Sequence, residues 1–344
     1  MCIAHGLNRG NRVNDDLPPR NGPLEFIPPK LHAIGHHASC RPVPVCTVGY
    51  NYDVGLAPAL KGSTVSHIPM NARVLTVFIL FLTVSSSAAI DSHAATLTVT
   101  KIEDTNDGIC DADCSLREAV VAAAASGDTI VFSSLFNMPQ TITLMLGEMA
   151  FSKDLTITGT GSNNVIVSAN NSGRIFYITG GVTVNMSGMT MRDGNVGAPD
   201  PFGGAIKVNG SSLYLIDIYF TNNRAYDQQI NYGAGGAVYG SGSTFVFSNI
   251  RAVGNNNGAG IIAEFGSSLD IQDSQINQNV GGGMSGDPFL NVRNSVISGN
   301  NGGGLGGYHV LISDSTITDN LNVGVTDGDS TSTMTIERSL INGN

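Results

Sequence analysis

A parallel β-helix with three short strands per rung is the fold this sequence predicts, and three observations predict it. An eleven-residue pattern recurs from Leu213 onward: apolar, any, apolar, any, Asx, Ser, any, Ile, any, any, Asn. It reads LDIQDSQINQN from Leu269, LNVRNSVISGN from Leu290, VLISDSTITDN from Val310 and MTIERSLINGN from Met334, with looser copies from Leu213 and Phe245. Successive starts lie 32, 24, 21, 20 and 24 residues apart, so a constant coil alternates with loops of elastic length. Glycine-rich returns, Gly281 to Gly283 and Gly302 to Gly304, are each followed by another apolar residue, Met284 or Leu305.

Within a copy the apolar residues alternate, as at Leu269 and Ile271, and then step over Asx-Ser to Ile276. Period two broken once predicts two short strands joined by a tight corner. The corner falls on Asp217, Asn249, Asp273, Asn294, Asp314 and Arg338. Five of these six are Asp or Asn, which tolerate left-handed backbone and hydrogen-bond to their own turn. The glycine-rich return supplies the third strand, and stacking the rungs buries a column of aliphatics. Leucine-rich repeats share the spacing but need a helical return arm, which Gly- and Asn-rich returns do not form. Asn223, Asn255, Asn279, Asn300, Asn320 and Asn344 are then expected to stack as amide ladders along the solenoid.

Composition agrees with a turn-dense all-β body. Of 344 residues 43 are Gly and only 13% are charged, yet 41% are hydrophobic, ample for a core and too many for a disordered chain. The character changes at Met70. Residues 1–69 hold 5 of the 7 His, 9 of the 13 Pro and 3 of the 5 Cys without periodicity, and read as a disordered or non-native leader. A metal site there from Cys2, Cys40 and Cys46 with His32, His36 and His37 matches no zinc spacing.

Residues 70–95 read as a signal peptide. Arg73 closes a short basic region, Val74 to Val84 is apolar and too short to span a bilayer, and Ser85 to Ala95 is small and polar. Cleavage is expected after Ala89 or at Ala94–Ala95. The export this implies is to the extracellular space or the outer cell surface, with no transmembrane helix. Beyond residue 95 the chain carries 10 Lys and Arg against 22 Asp and Glu, a net of −12, which excludes a nucleic-acid partner.

Residues 96–131 are expected to cap the solenoid. Thr96 to Ile102 alternates like a strand, and Cys110 and Cys114 are the only cysteines of the exported part, so an oxidising destination predicts their disulfide. Ser115 and Glu118 form an S-x-x-E capping box ahead of Leu116, Ala119, Val120 and Ala123. This predicts an amphipathic helix of about ten residues, closed by Ser126-Gly127, whose apolar stripe plugs the open end. Calcium is a second use for this segment's Asp104, Asn106, Asp107, Asp111 and Asp113, but Gly108 is misplaced for an EF-hand loop. No cofactor is therefore expected. From Asp128 to Val184 the strand-like runs TIVF, TITLML, LTITGTG, NVIVSA, IFYITG and VTVNMSGM begin the β-helix, residues 132–344. It stops at Asn344 on a repeat copy with no cap after it and reads as truncated at its C-terminus.

The stretch C-D-A-D-C-S-L-R-E-A, residues 110 to 119, resembles the CSLREA domain found at the front of secreted bacterial β-helix proteins. Gly203 to Ile206 (GGAI), Gly235 to Val238 (GGAV) and Phe220 to Asn223 (FTNN) resemble the repeats of chlamydial-type polymorphic outer membrane proteins. The resemblance implies a pectate-lyase-like, right-handed β-helix at the outer surface, and carries over no catalytic residue.

Polysaccharide lyases and hydrolases use such a fold, and catalysis would need their motifs or a substitute for them. The exported part has no adjacent Asp pair, no G-H-G and no R-x-K, and its one histidine, His309, reads as an exposed strand residue. The long insertions around Asn195 to Phe202 and Arg224 to Tyr232 gather Arg192, Asp193, Asp200, Lys207, Arg224 and Asp227, where carboxylates would act as acid and base or hold a metal. Charges on loops are more commonly just solvated. Binding asks less: Tyr214, Tyr219, Tyr226, Tyr232 and Tyr239 cluster on the same rungs, able to stack on sugars or meet a protein. The candidate binding residues are Arg192, Asp193, Asp200, Arg224, Tyr226, Asp227 and Tyr232. The expected role is structural, adhesive or autotransporter-passenger-like, with a surface glycan or a cell-surface protein as partner. The competing expectation is a lyase or glycoside hydrolase acting on acidic glycans at the long-loop rungs.

Overall fold

The computed structural model describes residues 94–123, 127–229, 231–256 and 258–344. The leader, with its cysteines and histidines, and the signal segment up to residue 93 lie outside the described residues.

Short strands pile in parallel along one axis in three columns. The first column runs from Thr96–Val99 through Asp128–Phe132 and Leu155–Thr158 to 183–187, 212–216 and 244–248, and on to Thr333–Glu337. Along it Val184, Leu213, Phe245, Leu269, Leu290, Val310 and Met334 are successive register partners. The second column holds Gln140–Thr143, Val165–Ser168 and then the segment after each Asx corner, ending at Leu340–Asn342. The third is Met149–Phe151, Phe176–Ile178, Ile206–Asn209 and Val238–Ser241, continued by 261–263, 284–286, 305–307 and Val325–Asp327. This is the expected three-strand rung. Parallel crossovers take the right hand, so the fold is a right-handed parallel β-helix. Met149–Phe151, only three residues long, is a strand that the sequence pattern left out.

The alternation of each strand is what fills the axis. Phe220, Ala252, Ile276, Ile297 and Ile317 are fully buried in the second column, and Phe176, Ile206 and Val238 in the third. Each large aliphatic contributes about 1.5–3 kcal/mol by leaving water. Bulk is compensated locally: Phe245 and Phe247 sit edge to face at 5.5 Å, and a Cβ on Gly240 would lie 2.0 Å from the Phe245 ring, so the aromatic pair requires glycine there.

The expected left-handed corner is present in all six repeat copies. Asp217, Asn249, Asp273, Asn294 and Asp314 have φ between 44 and 53°, and Arg338 adopts 47°. Carboxylate and donor alternate along this corner: Asn294 Nδ2 donates to Asp273 Oδ1 at 2.6 Å, and Arg338 grips Asp314 through Nε and Nη2 at 2.7 and 2.8 Å. That bidentate bond is what a guanidinium adds at a corner where an amide is the usual donor. A second left-handed corner precedes each ladder asparagine, at Asn222, Gly254, Gln278, Gly299, Asp319 and Gly343.

The amides stack as expected. Asn279 Nδ2 donates to Asn300 Oδ1 (3.0 Å) and to Ala252 O (2.9 Å), while its Oδ1 accepts from Asn255 Nδ2 and from the Asn255 backbone N–H, both at 3.0 Å. The same four-bond arrangement links Asn223 through to Asn344. Serines make two parallel ladders, one from Ser211 through Ser243 to Ser267, the other from Ser274 through Ser295 and Ser315 to Ser339. These side chains answer backbone groups that a turn would otherwise strand in the interior.

At the N-terminal end the helix spans Leu116–Ala122, shorter than the expected ten residues, because Ala123 already has extended backbone (φ −60°, ψ 94°). Both bonds of the capping box are formed, and Leu116, Ala119, Val120 and Ala123 join the core. The Cys110–Cys114 disulfide is present. Two buried charges then tie the cap together. Arg117 pairs with Asp104 at 2.7 Å and reaches Gly147 O at 2.6 Å, and Asp104 also accepts the Met145 and Leu146 N–H groups. Burial would raise the Glu118 pKa, but bonds from Ser115, Thr105, Asp107 and Lys101 outweigh it and bring it to about 2. Of the acidic residues that could have served calcium, Asp104 is thus taken up, and Asp107 and Asp111 accept the N–H groups of Ile109 and Asp113. Among the described residues no group of three His, Cys, Asp or Glu is placed to hold an ion.

Two outcomes are expected. Asn279→Ala leaves two buried donors and two acceptors short of partners and should lower stability by about 3 kcal/mol in urea denaturation. A loss below about 0.5 kcal/mol, the scale of an ordinary surface substitution, would show the ladder to be idle. Glu118 ionises in the unfolded chain near its ordinary 4.5 and in the fold at about 2. Its contribution is therefore whole above about pH 4.5 and lost as pH falls toward about 2. Glu118→Gln should melt below the parent protein at neutral pH, with the gap closing through that window.

Candidate functional site

The first long insertion leaves the solenoid after Gly194 and the second after Asn223, and both return to the third column. Register sets the outer side of that column: Tyr177, Lys207, Tyr239 and Ile262 are successive partners on four rungs. Phe202, brought over them by the first insertion, packs 4.7 Å from the Tyr239 ring and 6.0 Å from Tyr232. Lys207 Nζ lies 5.5 Å over Phe202 and 5.7 Å over Tyr177. A satellite apolar cluster of Ala234, Tyr239, Ile262, Phe202 and Ala259 results, outside the main core.

Charges pin this cluster. Arg174, its side chain 6% exposed, donates Nη1 to Glu148 at 2.5 Å and Nη2 to Asp200 at 2.9 Å, and it also holds the Phe202 and Gly203 carbonyls. Lys207 Nζ closes on the other Asp200 oxygen at 2.6 Å. Above Arg174 the insertion leaves an open cleft of about 390 Å³, lined by Glu148, Ser172, Asn195, Pro199 and Asp200 among others. On the next rungs burial, and then the charge of Glu264, push the Tyr239 hydroxyl up to about 12, and that hydroxyl donates to Glu264. Burial and the neighbouring Asp287 raise the Glu264 carboxyl in turn. A carboxyl that keeps its proton to higher pH, beside a tyrosine and within the same face as two cations, is chemically able to donate or accept a proton.

The structure distributes the sequence-derived candidates over three places. Asp200 and Lys207 are in the pinned cluster. Arg192 and Asp193 stand at the end of the second column: Nε of Arg192 is 3.4 Å from Asp193 Oδ2, and Asp193 is held by Ser168 Oγ (2.9 Å) and Asn222 Nδ2 (2.7 Å). Arg224, Tyr226, Asp227 and Tyr232 shape the second insertion: Arg224 stacks over Tyr226 at 5.4 Å, the Tyr226 hydroxyl bonds Asn231, and Asp227 bridges to Tyr232 through backbone bonds. Tyr232 alone of these four reaches the cluster. Tyr219 carries Arg251 at 4.5 Å on the second column, and Tyr214 is exposed on the first. Arg174, Glu148 and Glu264 escaped sequence reasoning. They are single charges in unlike local contexts, and only the rung-to-rung register places them on one face.

No family model matches the chain, and no curated protein matches it. Among solved structures it is similar to pectate lyase Pel9A, at 14% identity over 73% of this chain and 77% of that one, with a TM-score of 0.43. It is also similar to the A-module of the Azotobacter vinelandii mannuronan C-5 epimerase AlgE6, at 17% identity over 68% and 77% of the two chains, with a TM-score of 0.31. Likenesses this low carry no argument about activity, and the fold stands on the strand registers.

Arg174→Met removes the clamp from both carboxylates and from the insertion's carbonyls. It should cost about 2 kcal/mol, less than a fully buried pair because Glu148 and Asp200 are partly exposed. Hydrogen exchange should quicken around residues 195–205 ahead of the rest of the solenoid. Uniform acceleration would show that the clamp does not hold that insertion in particular.

Proposed function

We propose that the chain is a secreted or cell-surface β-helix protein with a structural or adhesive role, in which a rigid solenoid presents one decorated face. The observation that carries this reading is the third-column face, where Arg174, Asp200, Lys207, Phe202 and Tyr239 are fixed against one another by ion pairs and ring contacts. Groups so tied form a surface of constant shape, which suits recognition. The apolar run from Val74 to Val84, the disulfide and the CSLREA-like cap support export. Among the described residues no helix is long and apolar enough to cross a membrane.

The test is expression from Met70 in a bacterial host followed by fractionation and protease shaving of intact cells. The expected product is a chain cut after Ala89 or at Ala94–Ala95, recovered outside the cytoplasm with Cys110 and Cys114 joined. An uncut, reduced, cytoplasmic protein would defeat the proposal.

A second reading, a polysaccharide lyase or hydrolase acting on acidic glycans, draws on one observation: the raised Glu264 carboxyl bonded to Tyr239, which is the register partner of Lys207. Lyase action leaves an unsaturated uronide that absorbs in the ultraviolet. Under the adhesive reading, incubation with polygalacturonate or alginate gives no such rise, and a rise abolished by Glu264→Gln would replace it.

A further inference from the structure

One edge of the solenoid carries aromatic rings where the pattern of the rungs gives no reason for them. Where the third column passes into the first, on three consecutive rungs, stand Phe265 ahead of the first-column strand, Phe289 at its start between Ser268 and His309, and Tyr308 just before His309, exposed by 70, 56 and 37%. Phe265 has φ 53°, a left-handed backbone rare for a bulky residue, and Gly266 follows at 84°. The corner is held from within: Ser267 is fully buried, donates to Glu264 O at 2.6 Å and accepts from the Ser243 N–H at 3.0 Å. Register shifts on both sides, between Ala263 and Ser267 and between Gly286 and Phe289, mark this edge as bulged. Bulges re-aim side chains at functional edges, and strain without burial is kept where something other than stability is served.

A groove of about 320 Å³ opens beside the rings, lined by Phe289, Asn291, His309, Leu311, Thr333 and Thr335. Phe289 stacks on His309 with centroids 5.1 Å apart and planes 27° off parallel, and His309 Nδ1 sits 2.8 Å from Thr333 Oγ1, so the two rings form one fixed platform. Asn291 Oδ1 is buried there without a hydrogen-bond partner among the described residues.

The charges choose the partner. From Ala252 to Glu337 the only Lys or Arg is Arg293, and it is already engaged by Asp270 at 2.9 Å. Glu264 and Asp287 flank the aromatic edge, near enough to interact. A polyanion would meet carboxylates and no free cation. A chain rich in hydroxyls and without acidic groups fits these features: its ring faces cover the aromatics, and its hydroxyls donate to the carboxylates. Phe289 and His309, register partners one rung apart, offer a platform for an extended chain, with Phe265 and Tyr308 at the neighbouring turns.

We propose that the edge formed by Phe265, Phe289 and Tyr308, with the adjoining groove, binds an uncharged polysaccharide. This names a ligand class for the adhesive reading and rests on it only in that a surface protein is what would meet such a chain. The experiment is affinity electrophoresis of the mature protein in gels containing mannan, xyloglucan or β-glucan, with polygalacturonate as the acidic comparison. Retardation by at least one neutral polymer, insensitive to salt, is expected. Phe289→Ala should weaken it about three- to tenfold, the scale of one lost ring contact. Phe265→Gly is the discriminating variant: it should weaken retention similarly while leaving the melting temperature unchanged or higher, because glycine relieves the left-handed backbone. A fall in melting temperature on Phe265→Gly would make that ring structural and overturn its part in binding. No retardation by any neutral polymer, or retardation only by polygalacturonate, overturns the proposal. So does a dimer in sedimentation that Phe289→Ala dissociates, which would make the edge a contact between copies. Export is measured in cells and retention in gels, so a chain that fails to leave the cytoplasm can still bind, and an exported chain can still fail to.

Discussion

Everything in the solenoid depends on how its turns dispose of backbone hydrogen-bonding groups. Parallel strands pair with the rungs above and below, but the bends between columns present N–H and C=O groups to a dry interior. The buried asparagines Asn255, Asn279, Asn300 and Asn320 answer this with a carboxamide that makes four bonds at once, two to its neighbouring amides and two to backbone. Serines perform a smaller version of the same task at the other corners. Since each amide is completed only by the next rung, no rung is satisfied alone, and stability is shared between neighbours in the manner of a one-dimensional array.

Charge is handled just as locally. The described body is strongly acidic, and a few of its charges are buried. Arg117 and Glu118 are sunk into the cap and Arg174 lies beneath the first insertion. Each such pair joins segments distant in sequence: Arg117 reaches Gly147, and Arg174 reaches Asp200. Charges serve here as fasteners for parts of the chain that the strand ladder does not reach, namely the cap loop and the insertions. Burying an ion pair gives little net stability, but breaking one leaves an uncompensated charge, so these pairs act chiefly on uniqueness of structure.

The two decorated regions differ in kind. The third-column face is made of groups that satisfy one another, with rings packed on rings and carboxylates answered by Arg174 and Lys207. The aromatic edge from Phe265 to Tyr308 is the reverse: exposed rings, a left-handed phenylalanine, bulged registers and an unpaired Asn291 oxygen. Local rules agree with one another over most of this chain, and the places where they conflict are where function is reasonably sought.

Much of the architecture was legible in the chain itself. The period-two alternation of Leu269 and Ile271, the Asx corner and the recurring asparagine specified strand, bend and ladder, because each rests on neighbours within a dozen residues. The capping box at Ser115 and Glu118 was equally local. The face on which the insertions land was not legible, nor was the meeting of Arg174, Glu148, Asp200 and Lys207, nor the alignment of Phe265, Phe289 and Tyr308. The first two depend on rung register, and the three rings come near one edge through bulges between the columns; with repeats of 20 to 32 residues a bulge or an insertion of one residue moves a side chain to another face. The sequence by itself therefore determined the coil, its corners and its amide spine. Only the tertiary structure decided which outward side chains become neighbours, since that follows from stacking in three dimensions rather than from distance along the chain.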